Sequence, residues 1–216
     1  MDEAAARERL VTDYNVSRET LERLERFAAL LAQENERQNL VSRGTLGSLW
    51  NRHILDSAQL LRFSPNPDAS WIDLGTGPGL PGIIVALLHS GHVTLVEERR
   101  RRIEFLEMAV EELGLGTTTR VVGSKVEHMS AEPFDVISAR AFAPLDKLLT
   151  VGTRFSTEKS RWVLPKGRNA AAELDAVRSS WQGDFRLEQS LTDHDAQIIV
   201  AERVRPKGSG KGSGAR

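Results

Sequence analysis

Residues 73–82 read Asp-Leu-Gly-Thr-Gly-Pro-Gly-Leu-Pro-Gly, and Glu97 follows at the end of the next apolar run. Glycines let a backbone turn sharply and let a ligand approach the main chain closely. A helix starting directly after such a loop turns its free N–H groups toward polar ligand atoms. A carboxylate in the position of Glu97 is suited to accept hydrogen bonds from both hydroxyls of a ribose. Together these residues point to a nucleoside-bearing cofactor.

Other chemistry is narrowed by what the chain lacks. It has no cysteine, which excludes a thiolate nucleophile, disulfides and cysteine-ligated metals, and fits a reducing compartment. No pair of its histidines has metal-ligand spacing, so no metal is expected. His53, Asp56 and Ser57 fall at i, i+3 and i+4, on one face of a helix. Lys166 and Arg168 directly follow an apolar run and are suited to phosphate, as is the basic run from Arg99 to Arg102. The net charge of −1 means that any nucleic-acid contact comes from local patches.

The elements that must position these groups follow from periodicity. Residues 17–38 place Leu21, Leu24, Ala28 and Leu31 at helical spacing, with Ser17 as N-cap. After a polar link containing Gly44, a second helix is expected over 46–61, and Pro65 and Pro67 mark a loop. Strands are then expected at 71–74, 93–96, 120–122, 134–137 and 161–164. Helices are expected at 81–88, from Ile103 to Gly114, at 144–151 and at 170–181. Alternating β and α units imply a doubly wound, Rossmann-like α/β fold with a mostly parallel sheet. Two last strands, 185–191 and 198–204, have no helix between them and should form an antiparallel edge hairpin. The expected organisation is a helical extension over 1–64, a core over 65–205, and a disordered basic Gly/Ser tail over 206–216. The N-terminus lacks a signal-peptide pattern and the longest apolar stretch, 83–88, is too short to span a bilayer, which predicts a cytoplasmic protein with no membrane association.

The loop alone does not choose the cofactor. Gly77, Gly79 and Gly82 satisfy G-x-G-x-x-G, so an NAD(P)-dependent oxidoreductase remains open. Two features favour S-adenosylmethionine (SAM): Asp73 stands two positions before Gly75, as in the D-x-G-x-G-x-G arrangement typical of class I methyltransferases, and the terminal hairpin matches the edge of that fold. No hydride-transfer constellation is visible, and the one tyrosine, Tyr14, lies outside the core.

Asn39-Leu-Val-Ser42, Arg52-His-Ile-Leu-Asp-Ser57, the loop from Gly75 to Gly82, Ser138-Ala-Arg-Ala-Phe142 and Pro165-Lys-Gly167 resemble the signature blocks of the RsmG (GidB) family, over residues 20–204. Ala139 departs from the run more usual at its position. The resemblance implies a SAM-dependent methyltransferase acting on N7 of a guanine, position 527, in 16S rRNA, with a small-subunit particle as the setting. Beside Gly77 and Glu97 of the loop reading, it implies cofactor contacts from Gly75, Leu80, Val126, Glu127 and Arg140, and it makes His53 a candidate for RNA alongside Lys166 and Arg168, which are candidates by their placement. A ribosome-assembly factor that keeps the fold without catalysis is the other reading, and the intact loop with Glu97 argues against it.

Guanine N7 carries a free lone pair at neutral pH, so no catalytic acid or base is expected and orientation should suffice. Arg140 is suited to guanine O6 or to phosphate, and Phe142 either to stacking on a flipped base or to core packing.

Overall fold

A computed structural model describes residues 1–208. Its centre is a seven-stranded sheet made of β1 (Trp71–Leu74), β2 (Val93–Glu97), β3 (Thr119–Gly123), β4 (Val136–Ser138), β5 (Arg161–Gly167), β6 (Trp181–Gln189) and β7 (Gln197–Pro206), in the order β3-β2-β1-β4-β5-β7-β6. The first five are parallel, and β7 runs antiparallel between β5 and β6. The expected terminal hairpin is present, with its second strand inside the sheet and β6 at the edge. Strand order reverses at β1, which has β2 on one side and β4 on the other. In open α/β sheets the crevice beyond the carboxyl ends of strands at such a reversal is where ligands bind.

Every residue of β1 and β2 is buried, as a central parallel sheet requires. Side chains alternate across it. Trp71, Val93 and Leu95 enter one apolar cluster, whereas Ile72, Leu74 and Val96 enter the other. The first cluster is covered by α4 (Gly82–Leu88), α5 (Arg100–Glu112) and the N-terminal helices α1 (Glu3–Tyr14) and α2 (Arg18–Gln38); the second is covered by α6 (Leu145–Gly152) and α7 (Ala170–Val177). Ala6, Leu10, Leu24 and Phe27 share one core with Ile83 and Val93, so the N-terminal helices are part of the main packing.

Four expectations need correction. Helix α1 was not expected; only Ala6 and Leu10 are buried along it, too few to give a visible stripe. The single helix expected over 46–61 is instead a 3-10 turn (Arg43–Ser48), a π-helical turn (Trp50–Leu55), the short α3 (Asp56–Ala58) and a second 3-10 turn (Gln59–Phe63). The π turn starts where the Glu3 carboxylate accepts from the amides of Trp50 (2.9 Å) and Asn51 (3.1 Å). Helix α7 ends at Val177 and Trp181 opens β6, its indole N–H donating to Asp146 Oδ1 at 2.8 Å. Finally, β7 continues to Pro206 opposite Trp181, and the Lys207 amide donates to Ser180 O at 2.8 Å, so the first residues of the expected tail are held. Residues 209–216 lie outside the described residues. Among the described residues, no helix is long and apolar enough to cross a membrane.

Candidate functional site

The glycine loop leaves the carboxyl end of β1 and is braced from inside by Asp73. This carboxylate is fully buried. Its Oδ2 accepts from Thr76 Oγ1 (2.5 Å) and the Gly82 amide (3.0 Å), and its Oδ1 accepts from Ser138 Oγ (2.7 Å). Burial pushes the Asp73 carboxyl up, and the three donors offset part of that rise. The acidic residue that suggested the cofactor from spacing thus ties β1, β4 and the start of α4 together. Gly75, Gly77 and Gly79 all have positive φ (65°, 61° and 87°), which L side chains rarely adopt. At Gly82 a Cβ would come within 2.2 Å of Leu95 Cδ2, so only glycine lets α4 press onto β2.

Glu97 ends β2 and is buried. Its Oε1 accepts from the amides of Glu98 and Arg99, both at 2.9 Å, while Oε2 faces Arg102 Nη1 at 3.5 Å. The carboxylate is thereby held at the wall of a cavity of about 380 Å³, whose lining includes Gly75, Glu97, Val126, Glu127 and Phe142. Val126 and Glu127 sit on a 3-10 turn (Val126–His128) just after β3. This donor set fits an adenosyl group: an oriented acidic oxygen for ribose hydroxyls, an apolar side chain beside it, and a left-handed glycine backbone. Four of the expected cofactor residues, Gly75, Glu97, Val126 and Glu127, line this cavity. Gly77 does not, and Leu80 is buried in the core beneath the loop.

Arg140 does not line it either. It lies two residues beyond β4 and opens into a larger cleft of about 860 Å³, together with His53, Asp56, Lys166 and Arg168. The three expected RNA candidates therefore share one cleft. Residues Ala141, Phe142 and Ala143 line both cavities and form the wall between them. Ala141 has φ +52°, the left-handed turn that aims this wall. The Phe142 ring lies directly on the glycine loop: a Cβ on Gly75 would be 2.2 Å from its Cδ2.

Within the cleft, Arg140 Nη1 is 3.3 Å from His53 Nδ1 and 3.8 Å from Asp56 Oδ2. His53 Nε2 is 2.9 Å from Thr45 Oγ1, and Asp56 Oδ1 accepts from Thr192 Oγ1 (2.6 Å) and Gln59 Nε2 (2.8 Å). Burial, then the charges of Arg140 and Arg52, lower the His53 pKa to about 4. Burial pushes the Asp56 carboxyl up against the opposing pull of Thr192 and the two arginines. Ser57, read from spacing as part of the same face, instead donates to His53 O at 2.6 Å and is buried.

Lys166 lies inside β5, and its ammonium donates to Ala143 O (2.9 Å) and pairs with Glu173 (3.0 Å), with a side chain only 7% exposed. It anchors the dividing wall, and its ammonium is already engaged within the protein rather than offered to phosphate as its spacing suggested. Arg168 is exposed and pairs with Asp195 (2.7 Å), and Arg52 pairs with Asp193 (2.8 Å). The acidic turn 193–195 was missed, because nothing local in Asp-His-Asp says that two arginines will face it. These three side chains bring potential metal-ligand atoms within 4.8 Å of one another, but both carboxylates are committed to arginine. The basic run divides as well: Arg102 turns to Glu97, whereas Arg100 pairs outward with Glu104 at 2.9 Å.

Residues 20–199 match the family model described as rRNA small subunit methyltransferase G. A protein of Rhizorhabdus wittichii named ribosomal RNA small subunit methyltransferase G is 50% identical over 91% of this chain and 91% of its own. One of the same name from Zymomonas mobilis is 50% identical over 89% of this chain and 90% of its own. Among solved structures, a methyltransferase from Geobacter sulfurreducens superposes with a TM-score of 0.61 at 12% identity, covering 82% of this chain and 89% of its own. A SAM-dependent methyltransferase from Aquifex aeolicus gives 0.56 at 13% identity, over 72% and 92%. These likenesses establish a class I methyltransferase fold, and the oxidoreductase reading falls away.

Proposed function

Since the chain belongs to the rRNA small subunit methyltransferase G family, we propose that it transfers the methyl group of SAM to N7 of a guanine, position 527, in 16S rRNA, within a small-subunit particle. The observation that carries this reading is the pair of cavities sharing the 141–143 wall, one fitted to an adenosyl group and the other lined by the polar side chains of His53, Asp56 and Arg140. SAM supplies an electrophilic methyl carbon on a sulfonium. Gly75, Glu97, Val126 and Glu127 hold the cofactor, with Glu97 on the ribose hydroxyls. Gly77 and Leu80 act behind them by shaping the loop.

N7 needs no deprotonation, so the chain's task is to hold base and cofactor in line across the dividing wall; such orientation removes several kcal/mol of a barrier. His53 fits this role. It is neutral at physiological pH, and its Nδ1 faces a donor that never deprotonates. Arg140 belongs to the base side of the wall, and Arg52 and Arg168 at the cleft contact RNA phosphates. Mapping of N7-methylguanine by reverse transcription, in 16S rRNA from cells with and without the gene, tests the proposal. A modification that persists without the gene, or a loss at a different nucleotide, overturns it.

A further inference from the structure

The cleft holds a feature that the transfer itself does not use. Asp56 is partly buried, hydrogen-bonded and close to a guanidinium, yet no proton has to be moved. One of its oxygens, Oδ1, is fixed by Thr192 and Gln59, which leaves Oδ2 as the oxygen turned to Arg140 at 3.8 Å. Arg140 is fixed in turn by His53, and His53 by Thr45. Donor and acceptor are thus oriented before any ligand arrives, by residues from the N-terminal extension, the β4–α6 loop and the β6–β7 loop.

We propose that Arg140 and Asp56 form a donor–acceptor pair that selects guanine, Arg140 donating to O6 and Asp56 Oδ2 accepting from N1–H. This rests on the guanine reading above. Guanine presents an acceptor beside a donor along this edge. Adenine presents the reverse, an amino donor at C6 and a lone pair at N1, so it would set donor against donor and acceptor against acceptor. Sites built to hydrogen-bond a polar group reject analogues with the wrong pattern strongly, because the buried protein groups are left unpaired. The order of atoms also suits the transfer. N7 lies on the far side of O6 from N1, so a base pinned at N1 by Asp56 turns its N7 edge away from that residue. Asp56 lines only the cleft, and the wall shared with the cofactor cavity begins immediately after Arg140.

The test measures nucleotide binding by saturation-transfer NMR to the full chain saturated with S-adenosylhomocysteine, and does not depend on activity. GMP and IMP, which share O6 and N1–H, should bind at least about tenfold more tightly than AMP and 2-aminopurine ribonucleoside monophosphate, the cost of losing a hydrogen bond to a charged group. Asp56→Asn should weaken GMP roughly ten- to a hundredfold and leave AMP unchanged, collapsing the ratio. Thr192→Ala, which removes a brace and keeps the carboxylate, should retain the preference. Equal binding of GMP and AMP by the wild type, or an undiminished ratio in Asp56→Asn, overturns the pairing. If Asp56→Asn does not fold, the comparison of GMP with 2-aminopurine ribonucleoside monophosphate on the wild type decides alone. A clear GMP preference without N7-methylguanine in the mapping experiment sinks the functional reading and not this pairing; mapped N7-methylguanine without a GMP preference does the opposite.

Discussion

Arg140 Nη1 faces His53 Nδ1 at 3.3 Å, and this contact decides where the imidazole carries its proton. Arginine only donates, so Nδ1 accepts and the ring hydrogen sits on Nε2, toward Thr45 Oγ1 at 2.9 Å. A histidine so placed has no lone pair to offer a substrate.

The pH dependence of the reaction follows from it. With its pKa lowered from 6.5 to about 4, His53 is protonated only in acid and stays neutral through the working range. Single-turnover methylation at saturating SAM and RNA should therefore be flat between about pH 6.5 and 8.5. His53→Ala should lower the rate by misaligning Arg140, with the profile still flat. A slope near one on log rate against pH, lost in His53→Ala, would establish base catalysis and refute the orientation mechanism.

Gly75→Val should abolish SAM binding. A branched residue at φ +65° is strained, by roughly 1–2 kcal/mol for the left-handed conformation alone, and its Cβ would meet the Phe142 ring. Because the clash is with one side chain, Phe142→Ala should recover part of the affinity lost in the milder Gly75→Ala variant. Isothermal titration of the four chains in that cycle checks both points, and wild-type affinity in Gly75→Val would remove the cofactor from this loop.

Glu97→Ala should weaken SAM roughly ten- to a hundredfold, in line with about 1.5–3 kcal/mol for hydrogen bonds to a charged group, and leave RNA affinity unchanged. Glu97→Gln should fall between, since one carbonyl oxygen can still accept from the Glu98 and Arg99 amides, as Oε1 does. A dissociation constant unmoved by either change would mean that the ribose is held elsewhere.

RNA affinity should depend on salt through Arg52 and Arg168. Replacing either with alanine should flatten log affinity against log salt by about 0.7–0.9, one phosphate's worth. Lys166→Ala should leave the slope alone, because that ammonium is held by Ala143 and Glu173 away from solvent, whereas Arg52 and Arg168 pair with carboxylates at the exposed surface. Asp193→Asn should tighten binding by freeing Arg52 from its carboxylate. Filter binding across a salt series reads all four variants, and a slope reduced by Lys166→Ala would reassign the contact.

How far these features were legible depended on the range of the forces that set them. The five parallel strands, the glycine loop and Glu97 are local patterns: apolar runs of strand length, glycines that must turn left-handed, and a carboxylate at a strand end. The breakup of residues 43–63 into four short helical segments was not legible. It involves Glu3, which binds Trp50 and Asn51 from 47 and 48 positions away. Asp73 was found for a reason that the structure replaces, since a spacing cannot tell whether a carboxylate faces a ligand or Ser138, 65 residues later. Lys166 shows the same limit: a lysine at a strand end looks like a phosphate contact until Glu173 is seen to hold it.

The ties from Gln59 to Ser190 and from Asp56 to Thr192 join residues 131 and 136 positions apart in the chain. During synthesis, β1 to β3 and the glycine loop emerge well before the β6–β7 turn, and β7, the last strand in the sequence, lies between β5 and β6. Contacts that close so long a loop form late. A nascent or truncated chain that stops short of residue 190 therefore lacks one side of the larger cleft, even where its glycine loop is complete. Loss of the C-terminal hairpin would therefore take Thr192 and Ser190 from the cleft and, at the same time, Ile198 to Ala201 from both apolar clusters.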